Sequence, residues 1–160
     1  MALFLSTTLN KIDSKSRVSV PSNFRSTISE QSFNGIIAFP SYSNQCIDSC
    51  GIDRMEEIAD NLDQNDGYSK EEFDLISLYF GEAERLPFDR EGRVILPKKL
   101  LKHSKIKEHA LFVGLGPTFQ IWEPDLYEEQ KRKILKIASN RKLNPQFKPI
   151  PSANLKNRRK

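Results

Sequence analysis

The chain has 160 residues, 38% of them apolar and 29% charged, and a formal net charge of +4. That is long enough to bury a genuine core and too apolar for a wholly disordered chain. No apolar run approaches the ~20 residues of a spanning helix, so a transmembrane protein is not expected.

Met1-Ala2-Leu3-Phe4-Leu5 lacks a basic n-region and turns polar at Ser6, so it does not read as a signal peptide. Ile12 to Pro21 reads as a tight turn followed by a strand, Arg17-Val18-Ser19-Val20. Asp13 suits the turn because its carboxylate accepts bonds from N–H groups two residues on. Ser16 stands where the turn needs a left-handed residue, at a cost of about 1 kcal/mol. Pro21 ends the strand and suits the first turn of a short helix, since it lacks the donor that would be orphaned there. Strands follow at Gly35–Phe39 and Gln45–Ile47, then helices at Ile52–Leu62 and Lys70–Phe80 with apolar residues three or four apart. The pattern then recurs. Phe88 to Pro97 carries turn residues Asp89 and Gly92 before the strand Arg93-Val94-Ile95-Leu96, and Pro97 opens another short helix. Ala110–Gly114 and Phe119–Trp122 read as strands and Pro124–Ser139 as a helix.

Sliding the sequence along itself superimposes Ile12–Pro21 on Phe88–Pro97, with Asp, Arg, Val and Pro coinciding. The same offset places Phe4 on Phe80 and Phe24 on Leu100. The matching order of elements makes an internal duplication the best explanation. The chain divides into residues 1–64, a connecting helix at 65–79, residues 80–139, and a tail at 140–160.

Charge is segregated along this plan. Residues 141–160 hold seven Lys/Arg and no acid, leaving 18 basic and 21 acidic residues before them. The tail, with Pro145, Pro149 and Pro151, is expected to be disordered; it serves either as a non-specific nucleic-acid arm or as a solubilising extension. From Asp48 to Glu84 twelve acids face two bases, whereas Lys11–Arg25 and Arg85–Lys107 are basic. A fold that joins the two basic stretches offers the surface a phosphate backbone requires.

Arg17 and Arg93 open strands beside tight turns. Nucleic-acid contact is the favoured role, and an ion pair that fixes the turn is the alternative. Lys15 suits a phosphate, or is simply solvated. Asp13 and Asp89 read as turn-formers. Cys46 and Cys50 lack further ligands, His103 and His109 lying elsewhere, so buried thiols are expected and no metal or cofactor. Trp122 reads as a core anchor and the acidic segment as a solvated helical face. No phosphate loop, His-Glu-x-x-His or Gly-x-Ser-x-Gly is present, so catalysis is not expected.

Phe4-Leu5-Ser6, the run Asn10–Pro21 and Phe24-Arg25 resemble the first Asp-x-x-Gly-Arg motif of the MraZ family, and Phe88–Pro97 resembles its second. Val113–Gly116 and Gln120–Glu123 are similar to the same family, which belongs to the AbrB-like superfamily of bacterial transcription regulators. The resemblance covers about residues 3–139. It implies an α+β, mainly β fold: a double-split β-barrel built from two AbrB-like repeats with pseudo-twofold symmetry, plus flanking helices. It also implies a homo-oligomeric ring; the location expected is cytoplasmic, which the two cysteines and the lack of a signal peptide already suggest, and nucleoid-associated. Such a ring binds direct repeats of double-stranded DNA in the promoter of the division and cell-wall gene cluster, mainly as a repressor. The DNA-contacting motif maps onto Asp13, Lys15, Ser16 and Arg17, and onto Asp89, Glu91, Gly92 and Arg93. Two departures stand out: Ser16 replaces Gly, and Glu91 stands where Lys15 stands in the first copy, with Arg90 placed to compensate. The competing reading is a ring-forming scaffold that binds a protein through its acidic helices.

Overall fold

Eight strands and five helices are found among residues 2–64 and 67–143, the residues the computed structural model describes. In order they are β1 (Thr7–Lys11), β2 (Arg17–Ser19), α1 (Ser22–Ile28), β3 (Gly35–Pro40), β4 (Ile47–Cys50), α2 (Ile52–Gln64) and α3 (Lys70–Glu82). Then come β5 (Glu84–Pro87), β6 (Arg93–Ile95), α4 (Lys98–Ser104), β7 (His109–Gly114), β8 (Phe119–Trp122) and α5 (Pro124–Asn140). Among the described residues, those up to Tyr127 form one compact unit, and 128–143 belong to a second.

Within the first unit the strands make two sheets. Six run in the order β1-β7-β8-β4-β3-β5, each neighbour antiparallel, while β2 and β6 form a separate ribbon. The six-stranded order is symmetric about its centre. β1 pairs with β7, and its counterpart β5 pairs with β3, so each opening strand completes the other half of the chain. Neither half satisfies its sheet hydrogen bonds alone, because each would leave an unpaired edge.

Apolar residues from both halves share one core. Phe4, Phe24, Phe112 and Phe119 are fully buried; Phe119 has ring centroids 4.9 Å from both Phe4 and Phe24, and Phe4 lies 5.3 Å from Phe24. Burial of one such side chain is worth roughly 1.5–3 kcal/mol. Val18 and Val94, register partners in the ribbon, belong to the same core. The ribbon is thereby clamped with its turns outward. α1 and α4 each begin after a proline. Pro21 and Pro97 stand one residue earlier than the first helical turn, at the N-cap, with ψ of 140° and 150°. There the Pro21 carbonyl accepts the N–H groups of Phe24 and Arg25.

α3 starts at a capping box. The Ser69 hydroxyl accepts the Glu72 N–H at 3.1 Å, and the Glu72 carboxylate accepts the Ser69 N–H at 3.4 Å. Tyr79 stacks between Phe39 and Tyr42, both at 5.1 Å, but Phe73 and Leu78 are each 52% exposed.

Several details differ from the sequence reading. The strand expected at Gln45–Ile47 runs instead from Ile47 to Cys50, because β4 takes its register from β3 and β8. The alignment of Phe4 with Phe80 does not extend to environment: Phe4 is buried, whereas Phe80 lies partly exposed near the end of α3. In the second unit, α5 ends in a turn where the Leu143 N–H bonds the Ala138 carbonyl at 2.9 Å. The tail expected to be disordered from Asn140 onward begins in ordered structure, since Asn140 is the last residue of α5 and the Arg141 and Lys142 N–H groups bond back to Ile137 and Ser139; its remainder, residues 144–160, lies outside the described residues.

Candidate nucleic-acid interface

Each turn is organised by its aspartate. One oxygen of Asp13 accepts the N–H groups of Lys15 at 2.9 Å and Arg17 at 2.8 Å, and the other accepts Arg17 Nε at 2.7 Å. Asp89 repeats this with the N–H groups of Glu91 and Arg93, both at 2.9 Å, and with Arg93 Nε at 2.8 Å. The left-handed position is Ser16 (φ 62°) in the first turn and Gly92 (φ 77°) in the second. These donors favour the ionised acid. The Arg17 N–H above all, with the Arg17 side chain and the Lys15 N–H, holds Asp13 below the usual carboxylate range; the Arg93 N–H leads the same effect at Asp89. Arg93 is raised, chiefly by its hydrogen bond to Asp89.

The ribbon brings the two turns together. Arg17 is the register partner of Ile95 and Ser19 that of Arg93, so one turn stands at each end of a short antiparallel pair. Each turn also holds the end of the other's strand: the Val20 N–H donates to the Gly92 carbonyl at 3.1 Å and the Leu96 N–H to the Ser16 carbonyl at 2.9 Å. Lys15, Arg17, Arg90 and Arg93, which come from opposite halves of the chain, are therefore gathered around one ribbon. The turns are near enough for the Asp13 carboxylate to contribute to the raising of Arg93.

The ion pair weighed as an alternative for Arg17 and Arg93 is present in both turns. It engages Nε and fixes the guanidinium without consuming its Nη groups in the first turn. In the second, Arg93 Nη1 also meets Glu91 at 3.5 Å. Lys15 and Arg90 are exposed and make no ion pair among the described residues. Sequence reasoning did not assign Arg25 a site role, although it closes the basic stretch Lys11–Arg25 and stands in the Phe24-Arg25 resemblance; its guanidinium lies against Gly92.

The remaining candidates sit elsewhere. Cys46 and Cys50 are buried, and burial pushes both thiols up to about 12, which leaves them protonated and unreactive. Trp122 is buried, its Nε1 donating to Gln120 at 2.9 Å and its ring packed on Tyr127. No helix among the described residues is long and apolar enough to cross a membrane.

Residues 79–147 match the family model described as "MraZ protein, putative antitoxin-like". The chain is 46% identical over 143 residues to the transcriptional regulator MraZ of Rickettsia felis, covering 89% of this chain and 96% of that one. It is 46% identical over 138 residues to the Rickettsia akari protein of the same name, covering 86% and 93%. The Rickettsia typhi protein of that name is 44% identical over 143 residues, covering 89% and 96%. Both turns lie on a chain with that extent of likeness, and the chain belongs to the MraZ family, a family of transcriptional regulators and not of enzymes.

Proposed function

We propose that the chain regulates transcription by binding double-stranded DNA sequence-specifically through its two Asp-centred turns, as a homo-oligomeric ring. The observation that carries this reading is the ribbon, which sets two chemically similar arginine turns close together on the fold. Arg17 and Arg93 are held by carboxylates in fixed orientations, and a fixed guanidinium suits bidentate contact with guanine or phosphate. Lys15 and Arg90 are the accompanying backbone contacts. The symmetric strand order, with exchanged opening strands, supports a double-split β-barrel of two AbrB-like repeats, residues 1–64 and 80–139. Its site of action is the cytoplasm, at the nucleoid, as a repressor at direct repeats in the promoter of the division and cell-wall gene cluster.

Self-association is supported by α3, whose Phe73, Leu75 and Leu78 are exposed. One turn pair binds DNA weakly, and a closed ring gains by effective concentration. The same face would serve the scaffold reading, so DNA decides between them. The test is a titration on promoter duplex and shuffled duplex at two salt concentrations, with light scattering on the free protein. Preference for the promoter is expected. Equal affinity for both duplexes would remove the sequence-specific reading, and a monomer of 18.4 kDa would remove the ring.

A further inference from the structure

We infer that Arg25 is a further DNA-phosphate contact of the second turn, beside Arg90, making up there the positive charge that Glu91 removes; this rests on the DNA-binding reading above. Arg25 is in the last turn of α1, in the first half of the chain, yet it reaches the turn of the second half. Its Nε donates to the Val20 carbonyl at 3.0 Å, which anchors the side chain. The guanidinium then lies against the α-carbon of Gly92. A Cβ there would stand 2.6 Å from Arg25 Cζ, Nε and Nη1.

Charge singles this residue out. In the first turn Asp13 offsets Arg17, and Lys15 leaves a surplus of one positive charge. In the second turn Asp89 and Glu91 offset Arg90 and Arg93, leaving none. Arg25 makes no ion pair among the described residues, and it brings the second turn to the same surplus as the first. Nε is engaged by Val20, so the Nη groups hold the donors free for an anion. The equivalent of Arg25 in the other half is Leu101, which packs against the core and carries no charge. Lys15 with Leu101 and Glu91 with Arg25 are thus two ways of placing one cation at a turn. The glycine follows the same division, since Gly92 is buried and left-handed where the guanidinium lies on it, while the first turn carries Ser16.

The test is a salt titration of the full chain on the promoter and shuffled duplexes, for wild type, Arg25→Gln, Arg25→Lys, and Arg25→Gln combined with Glu91→Lys. Circular dichroism reports folding. Arg25→Gln is expected to weaken both duplexes several-fold alike and to lower the slope of log K against log salt by about one per engaged turn. Arg25→Lys should keep the slope, and Glu91→Lys should restore it in the Arg25→Gln background. An unchanged slope in folded Arg25→Gln overturns the inference. A slope lost in Arg25→Gln and restored by neither lysine also overturns it, because a mere brace of the turn needs the guanidinium's shape and not a charge. Wild type that binds neither duplex overturns the DNA-binding reading itself.

Discussion

The Asp13–Arg17 and Asp89–Arg93 turns are held by the same set of aspartate hydrogen bonds at closely similar lengths, yet they differ in the charges they present. The backbone is set by the aspartate, so the outward positions are free to diverge. Glu91 occupies the place of Lys15 without disturbing the turn. A homodimer of identical units has no such freedom, because every side chain appears twice. The centre of the large sheet carries the same lesson. Asp48 and Gln120 are register partners there, and Gln120 donates to Asp48 at 2.9 Å. Two aspartates at this place would repel each other.

The largest effect that separates the turns is expected from their arginines. Arg17→Ala should abolish discrimination between promoter and shuffled DNA, at about 1–3 kcal/mol per engaged turn if a bidentate base contact is lost. Arg93→Ala should cost less, because Arg93 is already shared between Asp89 and Glu91. Equal losses in folded variants would erase the functional difference between the turns. Next comes Gly92→Ala, which forces a side chain into φ 77° and onto Arg25. It should destabilise the fold by about 1–2 kcal/mol in urea denaturation, from the left-handed conformation alone.

Acid should act on both turns together. Asp13 and Asp89 are held below their ordinary 3.8, so their contribution is present above that value and is lost as pH falls through the lower folded values. Thermal unfolding followed from pH 7 to pH 2 should show this loss, and Asp13→Asn with Asp89→Asn should flatten it. A smaller effect is expected from Ser16→Gly, a gain of up to ~1 kcal/mol from relief at φ 62°, reduced by the greater freedom of the unfolded chain. A loss of stability would show that the Ser16 side chain supports the first turn. Least of all, deletion of residues 141–160 should leave the preference between duplexes unchanged while weakening both and flattening the salt dependence. Loss of preference would move specificity out of the turns.

Most elements were legible along the chain because their causes are local. The Asp-centred turns, the prolines before α1 and α4, and the apolar spacing of α2, α3 and α5 each act over a few residues. The recurrence of the turn was legible too, since it needs only comparison of the chain with itself. The start of β4 was misplaced because β3 and β8 together set its register, and β8 is distant in sequence. Arg25 was passed over for a similar reason. Along the chain it shows only as the end of a basic stretch and as part of the Phe24-Arg25 resemblance, and its partner Gly92 lies in the other half of the chain.

Residue order alone was enough for the repeated turn-and-strand units, the helices, the basic and acidic stretches and the family resemblance. Each rests on short-range backbone preference or on composition. Tertiary structure alone decided that β1 and β5 exchange partners, that β2 and β6 join the turns through one ribbon, and that a guanidinium from the first half lies on the glycine of the second. Those contacts link residues far apart in the chain. They form because the opening strands find open edges in the opposite half and the valines of the ribbon bury into a core that both halves build.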